Sequence, residues 1–233
     1  MATPTTEFIF LPVKSSVRPE EESSIEGKAF LELLSSKKHS VDDLIWGPCV
    51  DRPDIVCIGA GKFSPVVVGQ QFTGHHLMEV ELSEPLELPA GNHRFDVVAL
   101  QPFQSSPPST IVVRAKASDF VSNPVTEIAI LPLEDNLSKD ELASLSTSSA
   151  VFGNALLTTP APSKYTGKMA LTYKSSWAEG PPKNNVLVMM IGWREVQNHL
   201  DAATTEVFKD NLQPIQDRVF GELDVKHFSF KQV

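Results

Sequence analysis

Cys49 and Cys57 are the only cysteines in 233 residues. They make no metal-ligand spacing and read as buried thiols of a reducing compartment. No apolar run exceeds strand length, so no membrane-spanning helix is expected. The start, Met1-Ala2-Thr3-Pro4-Thr5-Thr6-Glu7, lacks the basic head and apolar core of a signal peptide. The end, Lys231-Gln232-Val233, carries no retention or peroxisomal address, so the expected location is cytoplasmic. Basic clusters are missing too: 20 Lys and Arg face 29 Asp and Glu, a net charge of −9. Up to Asn123 there are 10 basic against 16 acidic residues, and beyond it 10 against 13. That balance argues against nucleic acid and against an anionic membrane surface as partners. Ile58-Gly59-Ala60-Gly61 lacks the third glycine and the helical continuation of a dinucleotide loop. Gly-x-Ser-x-Gly does not occur, nor does His-x-x-x-His. His75-His76 has no third ligand and reads as a solvated loop. No metal and no other cofactor is expected.

What is present has strand and helix periodicity. Glu7–Val13 reads as a first strand, ended by Pro12. Residues 20–38 carry Ile25, Ala29, Phe30, Leu33 and Leu34 at helical spacing, with Gly27 a mild weakness. Trp46-Gly47-Pro48 predicts a turn, and Asp54–Gly59 a strand ended by Gly59-Ala60-Gly61. Residues 62–92, broken by Pro65, Pro85 and Pro89, resist a helix and read as extended or irregular. Phe95–Leu100 reads as another strand. Ser- and Pro-rich stretches at 104–108 and 118–124 then flank Ile111-Val112-Val113.

The pattern restarts there. Thr126-Glu127-Ile128-Ala129-Ile130-Leu131-Pro132-Leu133 repeats Thr6-Glu7-Phe8-Ile9-Phe10-Leu11-Pro12-Val13. Ser138 and Glu141 form a capping box for a helix to about Ala155. Lys168–Trp177 alternates as a strand, Val186–Trp193 is an apolar strand, Glu195 to about Phe220 is one amphipathic segment, and Leu223–Phe230 closes as a strand. Further pairs follow in order: Trp46 with Trp177, Ile58-Gly59 with Ile191-Gly192, and Asp96-Val97 with Asp224-Val225. An internal duplication is expected: a degenerate first unit over 1–117, a linker at 118–124 and a complete second unit over 125–233. The expected fold is α+β, with two tandem ferredoxin-like β-α-β-β-α-β units, antiparallel sheets packed face to face and helices outside.

One segment then carries a resemblance. Ile191-Gly192-Trp193-Arg194-Glu195-Val196-Gln197-Asn198-His199 resembles the strand–Trp–helix–His element of the antibiotic-biosynthesis-monooxygenase (ABM) group, within the dimeric α+β barrel superfamily. The pattern is Trp-x-Ser-x-x-x-His, with Glu195 where Ser is common. The two-copy form is similar to fungal proteins bearing this domain. The resemblance implies a cofactor-independent monooxygenase or related enzyme, acting on a small aromatic or polyketide-like molecule of secondary metabolism. It equally admits a non-catalytic binding or dimerisation module with the same barrel. A homodimer fits either.

His227 and His199 are the expected catalytic groups, and Tyr173, Trp177 and Trp193 the expected substrate-binding ones. His199 reads as a general base, or as a side chain bonded to nearby backbone to fix its helix. Val196, Leu200, Ala203, Val207 and Ile215 form the apolar stripe beside it. His227 points into the barrel or is a satisfied core residue. Trp193 reads as packing or as a stacking wall. In the first unit Ala60 and Ala99 align with Trp193 and His227, so residues 165–233 are expected to supply most titratable groups of any site.

Overall fold

The computed structural model describes residues 3–64, 79–86, 97–134, 137–158, 168–176 and 184–233. In chain order the elements of the first half are β1 (Thr3–Pro12), α1 (Ile25–Lys37), β2 (Asp43–Pro48), β3 (Ile55–Ser64), β4 (Glu79–Leu86) and β5 (Ser109–Val113). Those of the second half are β6 (Val125–Pro132), α2 (Lys139–Thr158), β7 (Lys168–Ser176), β8 (Asn184–Trp193), α3 (Val196–Thr204), α4 (Glu206–Gln216), β9 (Asp224–Phe228) and β10 (Lys231–Gln232). The strands hydrogen-bond in the order β10-β2-β3-β1-β5-β7-β8-β6-β9, and β4 pairs with β7 off this path. That is β5-β1-β3-β2 beside β9-β6-β8-β7, the same antiparallel strand order twice, as in the ferredoxin-like fold expected from the sequence, with α1 the only α-helix of the first half among the described residues.

Each sheet is apolar on both faces and is covered on both. Phe8, Phe10, Ile111 and Val113 of one sheet meet Ile128, Ile130, Val188 and Met190 of the other in a shared interior. Phe228 and Phe230 close it, with Phe10 and Phe228 ring centres 5.8 Å apart. The outer face of the first sheet packs Ile9, Leu11 and Ile58 on Phe30 and Leu34 of α1. The outer face of the second packs Leu131, Met189 and Trp193 on Phe152 of α2 and Phe208 and Ile215 of α4. Burying one such aromatic or aliphatic side chain is worth about 1.5–3 kcal/mol, so the three apolar layers dominate the stability of both halves.

Several local expectations are corrected. Gly47 lies inside β2, not in a turn: a Cβ there would sit 2.6 Å from the Ser229 carbonyl oxygen, so the glycine lets the C-terminal segment run alongside. Gly59-Ala60-Gly61 continues β3 to Ser64 instead of ending it, because β1 and β2 flank it on both sides. Gly27 is buried, and a Cβ would meet the Arg18 carbonyl oxygen at 2.3 Å, so close approach outweighs its low helix propensity. Ile25 is 83% exposed and lies off the α1 stripe.

The edge of β1 opposite β3 is held by β5, which carries Ile111-Val112-Val113, and not by the expected strand at 95–100. Residues 97–100 form a 3-10 turn instead. The register corrects the pairing of the halves. Thr6 faces Gly61 and Val113, as Thr126 faces Gly192 and Phe228. The partners of Trp193 and His227 are therefore Lys62 and Val112, not Ala60 and Ala99.

The single amphipathic segment after β8 is two helices. Thr205, at φ −73° and ψ 145°, leaves the helical region; its hydroxyl accepts from the Phe208 N–H at 3.2 Å and donates to the Ala202 carbonyl at 2.7 Å. The break resets the helical phase, so Ala202, Phe208 and Ile215 are buried while Leu200 and Val207 are about half exposed. The capping box of α2 forms as read: Ser138 N–H donates to Glu141 Oε2 at 2.8 Å, and the Glu141 N–H to Ser138 Oγ at 3.3 Å.

Candidate functional site

Neighbouring strands bring Glu127 and His227 together, since β6 and β9 pair them directly. Both side chains leave the sheet on the helix-covered face, opposite the interior that holds Ile128 and Phe228. His227 thus points neither into the shared interior nor to solvent; it is 5% exposed. Arg194-Glu195 turns the chain out of β8 into α3. One turn into α3, His199 lies over Trp193, ring centres 5.4 Å apart and planes 25° from parallel.

The polar atoms form a chain. Asp51, in the turn after β2, accepts through Oδ2 from the His227 backbone N–H and from His227 Nδ1, each at 2.8 Å. Because a carboxylate oxygen can only accept, Nδ1 of His227 carries a proton, and in the neutral ring its Nε2 holds the lone pair. His199 Nδ1 stands 2.9 Å from that Nε2 and is accordingly the donor. Nε2 of His199 is left without a partner among the described residues. The bond thus runs to a side chain and not to backbone as one sequence reading had it. Trp193 Nε1 donates to Glu127 Oε2 at 2.7 Å, and the same oxygen lies 3.6 Å from His199 Nδ1.

Burial governs the charges. It pushes the Glu127 carboxyl up to about 7, against the Trp193 hydrogen bond, which favours the anion. It pulls His199 down to about 4, helped by the neighbouring His227. Near neutral pH His199 is therefore an uncharged imidazole and Glu127 is poised between acid and carboxylate. Glu127, His199 and His227 are also the metal-competent group among the described residues, with ligand atoms all within 4.8 Å of one another.

A cavity of about 390 Å³ opens beside this chain, between the second sheet and α2, α3 and α4. Its walls are mostly apolar, with Leu131, Phe152, Met189, Phe208 and Leu212, and Glu127 and His199 are at its polar end. Lys209, Gln213 and Gln216 are at the outer side, on α4. The break at Thr205 sets the direction of α4 and hence this wall. Trp193 is 1% exposed and does not line the cavity; it orients Glu127 and backs His199. Tyr173 stands in β7 opposite Asn185. Trp177, His75 and His76 lie outside the described residues.

Two members of the chain escaped the sequence reading. Glu127 had a signal: a carboxylate in the middle of an apolar strand, within the repeated Thr-Glu pair. Asp51 had none, being one of two aspartates in a polar turn.

No protein-family model matches the chain, and no curated protein matches it. Solved structures do. An anthrone oxidase-like protein is similar with a TM-score of 0.54 at 9% identity, covering all of this chain and 94% of the other. A "putative monooxygenase" from Fusobacterium nucleatum subsp. nucleatum is similar with a TM-score of 0.52 at 10% identity, covering 99% of this chain and 94% of the other. At such identity the likeness shows the fold alone: an α+β chain with ferredoxin-like antiparallel sheets.

Proposed function

We propose that the chain is a monooxygenase-like enzyme that takes a proton from a small aromatic, polyketide-like molecule and lets the resulting anion react with molecular oxygen, without flavin. The observation that carries this reading is the polar end of the cavity: an uncharged imidazole whose Nε2 has no partner among the described residues, backed by a second imidazole and a carboxylate. The names of the two similar structures, one a "putative monooxygenase" and one "anthrone oxidase-like", support the same class.

His199 Nε2 accepts the substrate proton, and the Nδ1 proton passes to His227 Nε2. Positive charge then rests beside the Asp51 carboxylate, which stabilises it. The carbanion or phenolate bonds to oxygen and the peroxide takes back the proton. Loss of water then leaves a carbonyl where two hydrogens stood, so one oxygen atom enters the product and the other leaves as water. The apolar walls exclude water from the anion. Asp51 is a positioning residue here, since it reaches the substrate only through the two histidines.

A binding module remains the second reading, favoured by the interior between the sheets, where Phe8, Phe10 and Phe228 pack in one apolar cluster of the described residues. Oxygen uptake by the purified chain with anthrone and phenol substrates separates the two. Turnover that falls at least about tenfold in His199→Ala supports the enzyme. Equal uptake by wild type and His199→Ala across the substrate panel would favour the module.

A further inference from the structure

We propose that Glu127, His199 and His227 form a binding site for one divalent transition-metal ion of the zinc, cobalt or ferrous class, a role beyond the proton-transfer reading. The residues come from β6, α3 and β9, so no sequence spacing announces them. His199 Nδ1 lies 2.9 Å from His227 Nε2 and 3.6 Å from Glu127 Oε2. Two ligand atoms about 2.0–2.1 Å from a zinc ion, at roughly 90–110° to each other, are about 2.8–3.4 Å apart. The first separation falls inside that range, the second just beyond it, and all three ligand atoms lie within 4.8 Å of one another, so side-chain movements that draw the carboxylate in place an ion among all three.

The chemistry of the set chooses the ion. Two imidazoles and one carboxylate suit zinc, cobalt and ferrous ions, whereas magnesium and calcium prefer all-oxygen sites. Glu127 and His227 are 3% and 5% exposed, which disfavours a loosely held hydrated cation.

The groups behind the ligands are already in place. Asp51 holds the His227 proton on Nδ1 and turns the Nε2 lone pair toward the centre. Trp193 orients the Glu127 carboxylate. Such outer partners fix ring tautomers and raise ligand basicity. The cavity borders Glu127 and His199, giving an entry path and room for further ligands on the ion.

Loading asks one rearrangement of His199: its ring proton leaves Nδ1 and the neutral ring carries it on Nε2. The ion-bound and hydrogen-bonded states are therefore exclusive, and an ion removes both the lone pair on Nε2 and the bond to His227. Metal binding would switch off the relay.

Calorimetric titration of the chelator-treated full chain with zinc chloride tests this, with visible absorption of the cobalt-loaded chain reporting geometry. One ion per chain is expected, and Tm should rise by roughly 5–10 °C at a hundredfold excess over Kd. Glu127→Gln, which keeps an acceptor for Trp193, should weaken binding at least about tenfold, and Asp51→Asn by about 10–100-fold. His39→Ala, at an exposed histidine, should leave it unchanged. Absence of binding would overturn the site, as would an affinity unaltered by Glu127→Gln or lost with His39→Ala. None of these readouts needs a substrate, so this proposal and the enzymatic reading fail separately.

Discussion

Asp51 and His227 are 176 residues apart in sequence, yet one oxygen of Asp51 accepts from both the backbone N–H and Nδ1 of His227 at 2.8 Å. The first half of the chain thus holds a residue of the site that the second half otherwise builds. The contact is possible because the end of β2 lies against β9, with a bridge between Cys49 and Phe228. The Val50 N–H also donates to the His227 carbonyl at 2.7 Å.

Asp51→Asn should cost about 1–2 kcal/mol in denaturant unfolding, the range for hydrogen bonds to a charged acceptor at a partly exposed position. Nitrogen chemical shifts of His227 should show the proton fixed on Nδ1 in the wild type and shared between the two nitrogens in the variant. Identical shifts in both proteins would remove Asp51 as the group that sets the tautomer.

Glu127 makes stability depend on pH in a stated direction. Its carboxyl is raised from 4.5 to about 7 in the folded chain. The contribution is fully present below pH 4.5 and is lost as pH rises through 7. Between pH 4 and 8, Glu127→Gln should therefore gain about 3 kcal/mol relative to the wild type, at 1.36 kcal/mol per pKa unit. Parallel stability curves for the two proteins would show that Glu127 ionises normally.

His199 gives the opposite slope. Its folded value of about 4 lies below the usual 6.5, so its contribution is full above pH 6.5 and is lost as pH falls through 4. Relative to the wild type, His199→Gln should be less sensitive to acid between pH 6.5 and 4. Chemical unfolding at pH 4, 5.5 and 7 reads this directly, and an unchanged acid slope would contradict it.

Thr205→Ala removes the cap that separates α3 from α4 and should cost about 0.5–2 kcal/mol. If the break sets the cavity wall, the variant should also bind an apolar dye in the cavity more weakly. Loss of stability with dye affinity intact would confine Thr205 to capping.

Ala203 lines the cavity beside His199. Ala203→Phe should fill it and block uptake of small aromatic ligands, with at most about 1–3 kcal/mol of overpacking cost. Unchanged ligand affinity would place binding elsewhere.

The sequence by itself determined the architecture, because periodicity and burial are local patterns. Strands apolar on both faces, such as Val186–Ile191, demanded cover on both sides, and the repeated Thr-Glu…Leu-Pro strand set two such sheets side by side. Even so, β5 was hidden between Ser- and Pro-rich stretches that looked like linker. The edge of β1 could be claimed by either of two short apolar runs, and only pairing decides between them. The phase of α3 and α4 was misread for a related reason: Thr204-Thr205 looks like part of a helix until the Thr205 hydroxyl takes the Phe208 N–H. His199 and His227 were legible as residue types in strand and helix contexts. Their contact, Glu127 beside them and Asp51 behind them were decided by tertiary structure alone. Hydrogen bonds depend on atoms meeting within about 3 Å, and no pattern along the chain encodes a meeting between a turn after β2 and a strand at the C-terminus.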